Sequence, residues 1–407
     1  MKPGNPRGFA LVITLALLAL LVLAVLALSA LTRLEAQISR STAAQTQARQ
    51  NALLALRIAL GELQKTAGPD DRVTGMAGLT GIVPQAANST RHWCGVWRAD
   101  GGFVAWLASG AEPAAPALQA GASAVALVGS GSVGAAAANS EPVIAGRIAV
   151  PGPDGVATGR IAYVVLDEGV KIPAYAPAPV GMAPVIFANA TNAQSRLREA
   201  LATYAGARSK LFSYEQLALL PSPAPALTPS TLQDNFHHVT LGSRTLRGAR
   251  LEAGLLNVNT NSVHVWRSLL QTYNTSPLAP AQIPAATVST RGTALQNALP
   301  GFATAGKLPR GPFTDPGAVA AFLAVAFTSG TPTAAQIHAV LAPQLAVRSD
   351  TFRIRAYGEV ASPADPAQAE ASVFVEAIVQ RTARAAPDGL GRRFTVNYFR
   401  WLGPGDI

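Results

Sequence analysis

The residues of this chain that could do chemistry are few, and their spacing limits what they can do. Gly129, Gly131 and Gly134 form a G-x-G-x-x-G run after the apolar stretch AVALV. Such a run holds a dinucleotide phosphate only when a helix of about ten or more residues follows, then a parallel strand with an acidic end. Here AAAANSEP follows, broken by Pro142. The glycines are therefore expected in a strand-to-strand loop. The histidines are His92, His237, His238, His264 and His338. None has metalloprotease spacing, and along a strand His237 and His238 would point opposite ways. They read as ordinary core or surface histidines. Asp70-Asp71 and Asp167-Glu168 are adjacent carboxylate pairs. Glycosidase carboxylates depend on separation in space, which adjacency does not provide. Motifs for acyl or phosphoryl transfer are absent. The lone Cys94 can form neither an intrachain disulfide nor a zinc site, and it is expected to be buried and inert.

An element at the N-terminus dominates the rest. From Phe9 to Leu31 there is no charge, and only Thr14 and Ser29 are polar. A helix of this length just spans a hydrocarbon core of about 30 Å. It is longer than the roughly 7 to 15 apolar residues of a cleaved secretory signal. Lys2 and Arg7 precede it, which predicts a cytoplasmic N-terminus with the bulk of the chain across the membrane. The pattern then continues with Leu53, Leu56, Leu60 and Leu63 at helical spacing, punctuated by Arg33, Glu35, Arg40, Arg49 and Arg57. No proline interrupts residues 7–66, and Gly68-Pro69 is a clear stop. One helix is predicted, apolar all round over 9–32 and amphipathic over 33–66.

Apolar residues make up 49% of the 407 and charged residues 13%, enough for a sizeable core under a thinly charged surface. The net charge of +10 is scattered, with no basic cluster of the kind that binds nucleic acid. Residues 67–172 read as short strands bounded by Gly, Pro and Asp. Over 173–345 the period becomes helical, as in AQSRLREALATYAG, SYEQLALL, NSVHVWRSLLQTY, TDPGAVAAFLAVAF and TAAQIHAVLAPQL, with Pro-rich links between. Asp315 before Pro316, Thr333, and the Asn257 to Asn261 segment read as helix N-caps. Trp93, Trp97, Trp106 and Trp266 read as packing residues. Over 346–407 strands return, and TFRIRAYGEV with EASVFVEAIVQRT suggests a hairpin. The class is α+β, with a long N-terminal helix on an antiparallel sheet and a mainly helical lobe inserted into that sheet.

A short basic leader ending in Gly8, Phe9 directly after it, and a helix first apolar and then amphipathic resemble the type IV pilins and the pseudopilins of type II secretion. The stretches ARQNALLALRIALGELQKTAGPDDRVT, RHWCGVW and GRIAYVVLDEGVKI are similar to the Verru_Chthon cassette protein A of Verrucomicrobia. GLLNVNTNSVHVWRSLL, SDTFRIRAYGEV and EASVFVEAIVQR are similar to the K-type minor pseudopilin. The resemblance implies a leader over 1–8, prepilin peptidase cleavage between Gly8 and Phe9, and N-methylation of Phe9. It also implies a pilin-like sheet. Most pilins carry Glu at the fifth mature position, where this chain has Ile13. A neutral residue there resembles the K type, for which a filament-tip position is implied. An unpaired carboxylate in lipid would be costly, which gives that departure a physical sense.

The resemblance implies a structural component and not an enzyme: a minor pseudopilin, single-pass in a bacterial inner membrane with its bulk in the periplasm. It would prime or cap a filament through helix–helix packing. Its partners would be other pilins or pseudopilins, the prepilin peptidase and the assembly machinery, with no nucleic acid. No cofactor is expected except calcium, which pseudopilins often bind, and for which Asp167 and Glu168 are the candidate ligands. The alternative is a singly anchored periplasmic binding or adhesion protein that never assembles.

Overall fold

The computed structural model describes residues 7–81, 89–133, 141–152, 154–173, 233, 235–253, 255–302 and 312–407. The chain opens with helix α1, Arg7–Ala67, 61 residues long and so about 90 Å from end to end. Strands β1 (Arg72–Met76), β2 (Cys94–Arg98) and β3 (Phe103–Trp106) form a small antiparallel sheet. β4 (Ala124–Val128) and β5 (Val143–Gly146) pair antiparallel, with the single-turn helix α2 (Ser130–Val133) between them. β6 (Ile148–Pro151) and β7 (Ala157–Asp167) follow.

The inserted lobe begins beyond β7. Its described part contains β8 (Ile172–Pro173), β9 (Val239–Thr240), the hairpin β10 (Arg244–Arg247) and β11 (Arg250–Ala253), and β12 (Leu256–Asn257). Helices α3 (Val263–Thr275), α4 (Ala285–Phe302), α5 (Ala318–Leu323) and α6 (Ala334–Leu341) come next, then β13 (Leu345–Ala346). The chain returns through β14 (Thr351–Ala361), β15 (Ala369–Ala385) and β16 (Arg392–Leu402). The main sheet has the order β16-β15-β14-β7-β6 and is antiparallel throughout. The lobe is therefore spliced between β7 and β14, which are neighbours in the sheet.

Two expectations change here. Only β6 and β7 of the early strands join the main sheet, whereas β1 to β5 form separate small sheets. The lobe also carries the β10–β11 hairpin in addition to its helices. The predicted helices in AQSRLREALATYAG and SYEQLALL lie outside the described residues.

The amphipathic half of α1 seats on the sheet through small residues. Ala44, Ala48, Ala52, Ala55, Ala59 and Ala67 are buried, with Leu56 and Leu63 between them. Across from them lie Phe352, Ile354 and Ala356 of β14 and Val375, Ala377 and Val379 of β15. Gly358 makes this approach possible. A Cβ there would stand 2.1 Å from the Ala52 nitrogen and 2.5 Å from the Ala48 carbonyl oxygen. Beside it, Asn51 Nδ2 donates to the Glu359 carbonyl at 2.8 Å, tying helix to strand.

The C-terminal end of α1 is clamped. The Gly68 carbonyl accepts from Arg381 Nη2 at 2.8 Å and Nε at 3.1 Å, and from the Arg392 amide at 2.8 Å. Arg348 Nη2 donates to the Ala67 carbonyl at 2.6 Å. Cations thus meet the negative end of the helix dipole. Gly391, with φ +77, passes so close to Gly68 that a Cβ would collide with its backbone.

Gly358→Ala should lower stability by at least the roughly 1–3 kcal/mol usual for overpacking, because the clash is with backbone. Gly61→Ala meets open space in mid-helix and should gain up to about 1 kcal/mol. Urea titration of the detergent-solubilised chain checks both signs.

Candidate functional site

Leu11 through Ile38 of α1 are exposed, and the globular part begins where Arg40 meets Glu370 at the tip of the β14–β15 hairpin, 2.7 Å away. α1 is long and apolar enough to cross a membrane. The two threonines in its outer part satisfy themselves: Thr14 donates to the Leu11 carbonyl and Thr32 to the Leu28 carbonyl, both at 2.9 Å. A polar side chain that bonds its own helix costs little in lipid. Arg7, Gly8 and Phe9 form the first helical positions, and Ile13 is exposed on the apolar cylinder. Lys2 lies outside the described residues.

Asp167 and Glu168 end β7, and their surroundings drive them in opposite directions. Glu168 accepts from Lys171 Nζ at 2.7 Å, Arg353 Nε at 2.9 Å and Thr240 Oγ1 at 2.6 Å. Burial alone would raise its carboxyl, but Lys171 and Arg353 outweigh that and hold it at about 2. Asp167 faces no cation so closely. Its oxygens accept from Thr74 Oγ1 at 2.9 Å and the Gly169 amide at 2.8 Å, and burial pushes it up to about 6. All four oxygens thus already accept from protein donors. Among the described residues no three His, Cys, Asp or Glu side chains are grouped to hold a metal ion.

Glu168 belongs to a larger array on the sheet face opposite α1. Glu376 of β15 accepts from Arg353 at 2.8 Å, Arg355 at 2.9 Å and Arg400 at 3.1 Å. Burial would raise Glu376, but the three guanidinium groups outweigh it and hold it far below the usual carboxylate range. Four cations face two carboxylates. The Phe236 ring from the lobe covers Lys171, Arg353 and Arg355 at 4.9, 5.2 and 4.9 Å. The ring's negative face offsets part of the excess positive charge.

The lobe is also pinned by asparagines. Asn257 Nδ2 reaches the Thr74 carbonyl and Ser349 Oγ, each at 2.9 Å. Asn259 Nδ2 reaches the carbonyls of Thr74, Phe313 and Val347 at 3.0 to 3.1 Å. The expected capping role falls instead to Ser262, which accepts from the Val265 amide. Thr333 does cap α6, in a capping box with Gln336. Asp315 makes a turn with Gly317, and α5 starts at Ala318. Gly129 and Gly131 lie in the β4–β5 connection, where Gly131 falls in the single helical turn α2 instead of a plain loop; Gly134 lies outside the described residues. There the Gly131 amide donates to the Ile407 carbonyl at 2.5 Å, a tight contact that only glycine permits.

Four histidines gather where the lobe meets the early strands. His92 and His237 stack at 3.6 Å, nearly parallel, and His238 leans on His264 at 4.3 Å. Glu141 contacts His92 and accepts from Arg91 at 2.7 Å, and its carbonyl accepts from His237 Nε2 at 2.8 Å. Burial drives His237 and His238 well below the usual imidazole range and His264 to about 4. Sequence adjacency gave no hint of this, because His237 and His238 sit in a turn and not a strand. Cys94 is buried and its thiol is pushed well up by burial. Trp93, Trp97, Trp106 and Trp266 are all buried.

No family model matches this chain, and no curated protein matches it. Among solved structures it is similar to a chain of the GspK-GspI-GspJ complex of the type 2 secretion system of enterotoxigenic Escherichia coli. That likeness has 13% identity and a TM-score of 0.32, over 64% of this chain and 84% of the other.

Glu376→Gln leaves the buried Arg353 and Arg355 and the partly exposed Arg400 short of a carboxylate. It should cost roughly 3–5 kcal/mol, read as a lowered urea midpoint. The histidines make stability fall with acid. Their folded values lie below the usual 6.5, so the unfolded chain binds more protons as pH drops through that value. Stability should fall from about pH 6.5 towards pH 4. Asp167, raised to about 6, works the other way but is one group against several. The charged groups that face these rings are Glu141, Arg91, Lys171 and Arg267. Urea midpoints measured against pH should show the fall, and a His237→Phe, His238→Phe double variant should flatten it.

Proposed function

We propose that this chain is a membrane-anchored pilin-like subunit, a minor pseudopilin that primes or caps a type II secretion or type IV pilus-like filament. The observation that carries the reading is α1: one continuous 61-residue helix, bare and apolar in its outer half and seated on an antiparallel sheet in its inner half. A plain anchor has no need to continue as the spine of the folded domain. In this reading the leader over residues 1–8 is removed between Gly8 and Phe9, and Lys2 and Arg7 orient the precursor in the inner membrane. The bulk then lies in the periplasm. Other pseudopilins, the prepilin peptidase and the assembly machinery are its partners. It is a structural component and carries no reaction. The lobe spliced between β7 and β14 adds bulk at one end of the sheet, which favours a tip position over one along a shaft. Ile13 agrees with that position, because a tip subunit has no neighbour above it to pair a carboxylate.

The mature N-terminus tests this reading. Mass spectrometry of membrane-purified protein should find a chain starting at N-methylated Phe9, and Gly8→Ala should leave the leader attached. A wild-type chain starting at Met1 would remove the reading in favour of a plain anchored protein.

A further inference from the structure

Three separate stretches of chain bring the four buried histidines to one seam. His92 precedes β2, His237 and His238 lie in the turn before β9, and His264 stands in the first turn of α3. The turn is thus held between the early strands on one side and α3 on the other. His92 stacks on His237 and His238 leans on His264, so both ends of the hold are ring contacts. His237 Nε2 donates to the Glu141 carbonyl, which leaves Nδ1 as the atom that can take a proton. That atom is buried and has no hydrogen-bond partner. His237 and His92 line a small cavity together with Met76, Asp167 and Lys171. A proton on Nδ1 would meet the stacked ring of His92 and the Lys171 ammonium.

The charges around the seam are mostly positive. Arg91 comes from the stretch of His92, Lys171 from before β8, and Arg267 from α3. Glu141, before β5, is the carboxylate that answers them. Asp167 of β7 shares the cavity, and Glu168 beside it is engaged by Lys171, Arg353 and Thr240. His264 also meets the positive end of the α3 dipole. Burial, then the neighbouring imidazoles and Lys171, hold His237 and His238 well below the usual imidazole range. The other contacts of the body behave differently. Glu168 is held at about 2 and Glu376 far below the usual carboxylate range, and the α1 seam is apolar.

We propose that this seam is an acid-released latch: protonation of the histidines frees the segment 235–241 from the early strands and α3, while α1 stays seated on the main sheet. The latch belongs to the fold and stands whether or not the chain assembles. A freed histidine regains its ordinary value of 6.5, and a held one lies below it. The latch is therefore closed above that pH, and the opened form takes up more protons as pH falls through it. Each histidine that gains a proton on release favours opening roughly 25-fold between pH 7 and pH 5. Asp167, pushed up to about 6 by burial, opposes this by roughly tenfold where the same opening wets it. Two histidines against Asp167 leave roughly 60-fold in favour of release. Release also withdraws the Phe236 ring from Lys171, Arg353 and Arg355, and the Thr240 hydroxyl from Glu168. The state of the seam is thereby passed to the buried array.

Amide hydrogen exchange of the full-length, detergent-solubilised protein tests the latch at pH 7 and pH 5, with rates corrected for the intrinsic effect of pH on exchange. The amides of Ile172, His238 and Val239 report on it, because they bond the carbonyls of His238 and Asn235 at 2.9 to 3.0 Å. The amide of Ile354, inside the main sheet, is the reference. Protection of the three latch amides should fall at least ~50-fold at pH 5, and that of Ile354 less than ~threefold. His237→Gln keeps a donor for the Glu141 carbonyl and cannot take the proton. It should shrink the pH ratio about 25-fold. The ratio is taken within one protein, so a variant loosened at both pH values still reports. Latch amides equally protected at both pH values overturn the inference. So does a fall at Ile354 as large as theirs, which is unfolding of the whole body. A His237→Gln ratio equal to the wild-type one overturns it as well.

Discussion

Backbone meets backbone where α1 crosses β14, and the rest of the molecule is arranged around that contact. A side chain at Gly358 would hold the two elements apart, and the alanines at 48, 52, 55 and 59 would then have nothing to touch. Small residues give up apolar area per position. They gain it back through length, because the whole inner half of the helix lies flat on the sheet. That is why the clamp at Gly68 matters: a helix seated by a smooth stripe can slide, and Arg381, Arg348 and Gln64 fix its register at one end.

The other face of the same sheet works by a different rule. Phe352, Ile354 and Ala356 point to the helix, and Arg353 and Arg355 alternate with them. Those arginines would be solvated on a simple two-layer protein. Here the lobe covers them, so their charges must be met inside, by Glu168, Glu376 and the face of Phe236. Buried ion pairs of this kind are weak sources of stability but are intolerant of losing a member. They favour one seating of the lobe, since a displaced lobe would withdraw the Phe236 ring from Lys171, Arg353 and Arg355 and the Thr240 hydroxyl from Glu168.

Much of the architecture was legible from the chain itself. Twenty-three residues without charge, followed by leucines at helical spacing and a Gly-Pro stop, specify α1 almost to the residue, since it ends at Ala67. Thr333 announced an N-cap, and the Pro-containing link after Val360 announced a hairpin. Other features were hidden for physical reasons. An alternating strand such as TFRIRAY looks like a half-solvated surface, because sequence does not reveal what covers its polar side. Asn257 and Asn259 looked like helix caps because the same side chains that cap also pin loops. The histidine cluster joins residues about 150 positions apart, which no local pattern encodes. Trp401 did not stand out, yet it is the tryptophan left at the surface.

The linkage between rod and sheet has a mechanical consequence. Asn51 ties α1 to the sheet partway along, and Gln64, Arg348 and Arg381 tie its C-terminal end, in addition to the alanine seam. A force directed along the helix axis loads these ties in parallel, as shear, and does not peel them one after another. The bare outer half of α1 and the folded body therefore behave as a single lever. A push delivered at the outer end of the helix would reach the folded body with little loss, about 90 Å from where it began.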